Sequence, residues 1–213
     1  MERLVRRRLL EFLDEHKVLP ESQYGFRPKR SVRDALIGSI ESWSKAIDSN
    51  VPVDIIYFDM TAAFDKVPHS RLLHKLASCG IDGYLLQWIR YFLTGRESKV
   101  RLGKTFSNAF EPTSSVPQGS VLGPLLFLVY VADLADVIVL PCILRCYADD
   151  VNISAKVRND SDRASLQASV DNLVEWSLRN DLPLSVPKCY VLHLGAKTVS
   201  TNTPWTVSHS LKR

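Results

Sequence analysis

Residues 53–58 read Val-Asp-Ile-Ile-Tyr-Phe, and the next residue is Asp59. Such a density of β-branched and aromatic side chains suits a pleated, buried strand. A strand of this kind has to be covered, which commits the chain to packed layers of sheet and helix. With 213 residues, 46% hydrophobic and 23% charged, the chain is apolar enough to build that core and is not disordered by composition.

The rest of the chain can be placed around this strand. Residues 1–17 carry Leu4, Leu9, Leu10, Phe12 and Leu13 among many charges, which predicts a basic amphipathic helix ended by Pro20. A basic, aromatic loop follows at Gln23 to Arg30. Ser31 and Asp34 then form a capping box for a helix with Val32, Leu36, Ile40, Trp43 and Ile47 near one face. Pro68 opens a helix with Leu72, Leu73 and Leu76, Gly80 stops it, and a second helix covers about 84–93. Residues 99–102 and 104–110 suggest a hairpin turning at Gly103. After the loop 117–120, the apolar run 121–131 reads as a buried helix. Two short strands, 143–147 and 151–155, flank Ala148-Asp149-Asp150. A helix over 162–179 turns Leu166, Val170, Leu173, Val174 and Leu178 inward, and 190–194 is a last strand. From Val53 onward the order is that of a ferredoxin-like βαββαβ unit, an α+β fold, with the elements between Pro68 and Phe110 inserted.

The apolar run 121–131 contains Gly123 and Pro124 and is too short to cross about 30 Å of hydrocarbon. No membrane partner is therefore expected. No secretory signal is visible at the first residues, so Cys79, Cys142, Cys146 and Cys189 read as free thiols, and Cys142 and Cys146 have no nearby pair to complete a zinc site. The net charge of +4 suits a polyanionic partner without selecting one.

Three carboxylates carry the chemistry. Asp59 ends the first strand, and Asp149 with Asp150 sits in a two-strand turn. In a ferredoxin-like sheet the first strand lies beside the central hairpin, so the three would gather at one edge. Clustered carboxylates repel unless neutralised. Mg²⁺ takes oxygen ligands and leaves positions for substrate phosphates. Two such ions serve an in-line displacement, as nucleotidyl transfer from a triphosphate requires. Taken singly, each Asp has an ordinary structural explanation, as a turn residue or a helix cap.

Four segments in order resemble motifs of the reverse transcriptases of non-LTR (LINE-type, Jockey-like) retrotransposons. Phe58-Asp59-Met60-Thr61-Ala62-Ala63-Phe64-Asp65-Lys66-Val67-Pro68-His69 resembles motif A, Val116-Pro117-Gln118-Gly119-Ser120-Val121-Leu122-Gly123-Pro124-Leu125-Leu126-Phe127 motif B, and Tyr147-Ala148-Asp149-Asp150 motif C. Gln23 to Ser31 is similar to the family's segment upstream of motif A. The resemblance covers about 1–195. It implies the palm of a right-hand polymerase acting as an RNA-directed DNA polymerase, with an RNA template, a DNA primer and dNTP as partners. Asp59, Asp149 and Asp150, with the Met60 carbonyl, would hold two Mg²⁺ ions, with Mn²⁺ as the alternative. Phe64 would be the steric gate against a ribose 2′-OH, or else ordinary core packing, and Asp65 would hold local structure. Gln118 and Gly119 would approach nucleotide and template, and Ser120 could cap the next helix. Arg27 and Arg30 would meet template phosphates, or simply be exposed. Lys188 falls near the motif D lysine, a general acid for pyrophosphate, although Leu184-Ser185-Val186-Pro187 replaces the usual Asn before it.

The expected organisation is partial fingers over 1–52, palm with motifs A to D over 53–195, and a polar tail over 196–213. On this reading the thumb is missing and the chain is a fragment. Its alternatives are a truncated, non-catalytic remnant that folds and binds nucleic acid, or a group II intron-type enzyme. The residues do not state a localisation; the resemblance alone implies the nucleus.

Overall fold

The structure is a computed structural model and describes residues 1–195. The polar tail expected over 196–213 lies outside the described residues. The described residues form two compact units, residues 1–18 with 62–131 and residues 19–61 with 132–195. Helices and sheet are mixed, as expected.

The second unit is built on a sheet. Strand β1 (Val53–Phe58) is flanked by β5 (Asp150–Lys156) and β6 (Tyr190–Leu194), and β4 (Ile143–Tyr147) lies outside β5, giving the order β4-β5-β1-β6 with every pair antiparallel. The expected pairing of the first strand with the central hairpin is therefore present. Ile55 and Ile56 are fully buried and Phe58 nearly so, as a central strand apolar on both faces requires. Helix α6 (Asp160–Arg179) packs on β5. It begins two residues earlier than expected because Asn159 caps it, accepting from the Asp162 N–H at 2.9 Å, while the Asp162 carboxylate accepts from the Arg158 N–H at 2.9 Å. Leu166, Val170, Leu173 and Val174 face inward, but Leu178 is 48% exposed. Trp176 and Ser177 take the inward places at that end, with the Trp176 indole N–H bonded to Asp133 at 3.0 Å.

Helix α2 (Val32–Asp48) starts as expected, with Ser31 accepting from the Asp34 N–H and donating back to its carboxylate. Its apolar face differs from the expectation. Trp43 packs inward as expected, against Ala46, Val53 and Ile55, but Val32, Leu36, Ile40 and Ile47 are exposed, while Ser39 and Ala46 are the buried positions. Small residues let the helix backbone approach the sheet, where the Arg145 guanidinium donates to the Gly38 carbonyl at 2.9 Å. The periodicity was real, but the sheet is met by the neighbouring stripe.

In the first unit, α1 (Glu2–Glu15) buries Leu9 and Leu13. Helices α3 (His69–Ser78), α4 (Gly83–Leu93) and α5 (Gly123–Tyr130) follow the expected order. Every side chain of α5 except Pro124 is buried, and the Lys75 ammonium donates to the Tyr130 carbonyl at 2.6 Å, satisfying an acceptor at the helix end. The hairpin at Gly103 is shorter than expected: β2 (Arg101–Leu102) and β3 (Thr105–Phe106) are exposed two-residue strands. Beyond them the Ser107 N–H donates to the Val100 carbonyl, and Ser98 and Phe110 exchange backbone hydrogen bonds.

Ile56→Ala deletes a fully buried branch at the centre of the sheet and should destabilise the unit by about 2–5 kcal/mol. Urea denaturation should show a lower midpoint with the slope unchanged.

Candidate active site

The strand register brings the acidic residues to one end of the sheet. Phe58 pairs with Val151 and Tyr147 with Asp150, so Asp59 leaves β1 beside the turn that joins β4 to β5. Beyond Phe58 the backbone is held on its other side: the Ser185 N–H donates to the Asp59 carbonyl and the Thr61 N–H to the Pro183 carbonyl, both at 2.8 Å. Met60 is buried and bridges to Leu184. The segment 183–185 leads directly to Lys188, whose ammonium donates to an Asp59 carboxylate oxygen at 3.1 Å. Asp59, Asp149, Asp150 and Lys188 thus lie in one unit, at one sheet end.

Their charges act on one another. Burial holds the Asp149 carboxyl above the ordinary aspartate range, and the neighbouring Asp150 and Asp59 push in the same direction. A backbone hydrogen bond at Asp149 and the Lys188 ammonium act against them. Burial also raises the Cys189 thiol, which sits beside Asp59, and pushes Cys146 up to about 12. Cys146 is therefore a neutral core thiol, and none of the four cysteines is in a disulfide.

Sequence reading did not find what braces the turn. Gln23 is only 2% exposed. Its side-chain oxygen accepts from the Ala148 N–H at 2.9 Å and from the Gly25 N–H at 2.8 Å, and its amide donates to the Ala148 carbonyl at 3.4 Å. Tyr24 N–H to Cys146 carbonyl and Cys146 N–H to Ser22 carbonyl, both 2.8 Å, lay this segment along β4. The only available signal was a glutamine directly before the aromatic-Gly-Phe-Arg run.

Arg27 and Arg30, expected at template phosphates, have local partners. Arg27 donates to the carbonyls of Pro20, at 2.8 Å, and Leu19. Arg30 pairs with the Glu21 carboxylate and lies over the Tyr24 ring. Both hold their loop in shape. Beneath the carboxylates a cleft of about 340 Å³ runs between α2 and the sheet, lined by Leu36, Trp43, Tyr57, Asp59, Asp150 and Lys188 among others. Arg145 and Asn152 also line it, and Arg145 Nη1, Asn152 Oδ1 and Trp43 Nε1 are buried with no protein partner. Tyr57 and Tyr190 stack along its floor with centroids 4.7 Å apart.

Phe64, Gln118 and Gly119 belong to the other unit. Phe64 stacks on Phe127 at 4.4 Å between centroids. Gln118 is exposed and donates to the Asp65 carboxylate at 2.9 Å, so Asp65 does hold local structure. Gly119 is exposed with φ +80°, a conformation that favours glycine. Ser120 accepts from the Gly123 N–H, and the Glu2 carboxylate accepts from the N–H groups of Val121 and Leu122, so α1 caps the turn leading into α5. That second cap was not foreseen.

Among the described residues, no three His, Cys, Asp or Glu side chains form a group that could hold a metal ion as they stand. The donor chemistry nevertheless fits a hard cation: the acidic side chains offer only oxygen. Their mutual repulsion is currently relieved by the Lys188 ammonium. A family model described as reverse transcriptase (RNA-dependent DNA polymerase) matches residues 1–208. The chain belongs to that family. It is 31% identical over 220 residues to a probable RNA-directed DNA polymerase from transposon BS of Drosophila melanogaster, covering 95% of this chain and 23% of the relative. It is 28% identical to the RNA-directed DNA polymerase from mobile element jockey of Drosophila funebris, covering 89% and 21%. The chain thus spans less than a quarter of the curated relatives it matches, which come from the lineage the motifs resembled. Telomerase from Candida tropicalis, solved with a fragment of telomeric RNA, shares the fold at TM-score 0.67 and 12% identity, over 92% of this chain and 34% of that one. Reverse transcriptase membership and the fold of a right-hand polymerase are therefore both in place.

The Asp149 shift has a stability consequence. The folded chain holds this proton more tightly than the unfolded chain, so the contribution of this group to stability is greatest at acid pH. It declines as pH rises from the ordinary carboxylate range through the raised value. Asp149→Asn should therefore be more stable than the parent at neutral pH, with the difference vanishing at acid pH. Urea midpoints across the pH range check this.

Proposed function

We propose that this chain carries the palm of an RNA-directed DNA polymerase, a ferredoxin-like βαββαβ unit over 53–195 with fingers elements over 1–52. The observation that carries the reading is the arrival of Asp59 beside the Asp149-Asp150 turn, next to Lys188, in a chain of the reverse transcriptase family. The sheet order β4-β5-β1-β6 supports the ferredoxin-like assignment, because it sets the first strand between the last strand and the hairpin. The names of the relatives and the RNA in the telomerase complex support an RNA template, with a DNA primer and dNTP completing the substrates.

Asp59, Asp149 and Asp150, with the Met60 carbonyl, would hold Mg²⁺, with Mn²⁺ as a substitute. When bound, two such ions supply Lewis acidity to the attacking and leaving oxygens of an in-line displacement. The chain's own residues do the rest. The carboxylates would hold those cations at the sheet end, where the triphosphate and primer 3′-OH would meet them. Lys188, released from Asp59, stands near enough to the carboxylates to protonate the departing pyrophosphate. Phe64 would serve as the steric gate against a ribose 2′-OH, and Gln118 and Gly119 would approach nucleotide and template. Arg27 and Arg30 meet template phosphates by exchanging their loop contacts.

Primer extension on an RNA template with dNTP and Mg²⁺ tests the reading. Asp150→Ala should reduce extension by roughly a thousandfold or more, on the scale of losing an essential electrostatic stabiliser of the transition state. Undiminished extension by this variant overturns the proposal. Phe64→Val should raise ribonucleotide incorporation relative to deoxynucleotide by about tenfold or more, read by competition between the two triphosphates.

A further inference from the structure

We infer that Gln23 is a positioning residue for the carboxylate pair, bracing the Asp149-Asp150 turn from outside the hairpin; this rests on the reading of those carboxylates as ligands. The turn is not self-sufficient. Ala148 has φ +57°, a left-handed conformation that a residue with a Cβ adopts reluctantly. A turn in this state points Asp149 and Asp150 correctly only while something fixes the peptide units on either side of Ala148.

Gln23 does this from both sides. Its carbonyl oxygen accepts from the Ala148 N–H, and its amide donates to the Ala148 carbonyl. The same oxygen accepts from the Gly25 N–H, which locks the Gln23 side chain itself. A buried amide with all these groups engaged has one orientation, because turning it over would set donor against donor. The parallel backbone bonds at Tyr24 and Cys146 carry the brace to the end of β4.

Gly25 makes the approach possible. A Cβ at that position would stand 2.5 Å from the Ala148 nitrogen and 3.1 Å from the Tyr147 carbonyl carbon, both backbone atoms that cannot swing aside. The Gln-aromatic-Gly segment is thus shaped to the turn: the glycine lets it close in and the glutamine fastens it. No other amide side chain of the described residues bonds the Ala148 peptide groups.

Three variants test this. Gln23→Met keeps the volume and removes both bonds. Gln23→Glu keeps the acceptor for the Ala148 N–H. Gly25→Ala pushes the brace off the turn. Hydrogen exchange is followed at the Ala148 amide and at Ile56 and Ile153 in the sheet, and Mn²⁺ affinity is measured by electron paramagnetic resonance without nucleic acid. In Gln23→Met and Gly25→Ala the Ala148 amide should exchange at least about tenfold faster while Ile56 and Ile153 keep their protection. Mn²⁺ affinity should fall about tenfold or more, and the loss in primer extension should lie in kcat rather than in KM for dNTP. Gln23→Glu should restore protection at Ala148. Exchange at Ala148 that is unchanged in Gln23→Met overturns the inference, as does unchanged Mn²⁺ affinity or loss of protection throughout the sheet. A parent chain that binds no Mn²⁺ and extends no primer overturns the functional reading instead, and the brace is then judged on amide exchange alone.

Discussion

The antiparallel register between β1 and β5 is the constraint on which everything else depends. Ile56 opposite Ile153 and Phe58 opposite Val151 put apolar pairs on the buried side, and the alternation then decides the other face. On that face Arg145, Asn152, Tyr57 and Tyr190 form one row across four strands, and the next row contains Tyr147 and Asp150. Asp59 and then Lys188 continue that row on the side of β1 and β6. A slip of one residue would turn Asp59 into the core and leave Phe58 in the cleft. The same packing that stabilises the sheet therefore sets the position of the acidic cluster.

The cluster sits against stability. Burial and two neighbouring carboxylates disfavour the charged form of Asp149, and the Lys188 contact offsets part of this. Lys188 is well exposed, so its pairing with Asp59 is weak and readily exchanged. On the proposed function that combination suits a site that would admit cations and triphosphate: the resident ammonium neutralises the carboxylates without closing the site. A buried, bidentate arginine in its place would be far harder to displace.

What was legible in the residues was whatever depends on local pattern. The run 53–58 announced a strand because β-branched residues fit the pleat, and Ser31 with Asp34 marked a helix start because caps are local chemistry; the Asn159 cap is equally local but was not read, which set the start of α6 two residues late. The three carboxylates were legible jointly, through the order of elements and the motifs they resemble. The face of α2 was misread because periodicity shows that a stripe exists, not which stripe meets the sheet; Ser39 and Ala46 won through close backbone approach. Leu178 failed for a related reason, since Trp176 found a hydrogen-bond partner inward and took the space. Arg27 and Arg30 were legible as cations, but their partners at Leu19, Pro20 and Glu21 depend on how the loop folds back. Gln23 was the hardest, because its partner Ala148 is 125 residues away.

That last case explains how a short turn can hold a reactive pair. Left-handed Ala148 costs about 1–2 kcal/mol relative to a relaxed conformation, and burying the Asp149 carboxyl adds to the cost. A two-strand hairpin alone has little to set against these terms, since isolated hairpins are marginal in water. Glycine at position 148 would remove the backbone strain, yet it would leave the turn free to adopt other conformations. Ala148 with an external brace does the reverse: it narrows the turn to few states and relies on Gln23 and the strand-like contact of 22–24 to select one. The rigidity of the site therefore resides in a segment far upstream in sequence, and the turn keeps its shape only as long as that segment stays docked along β4.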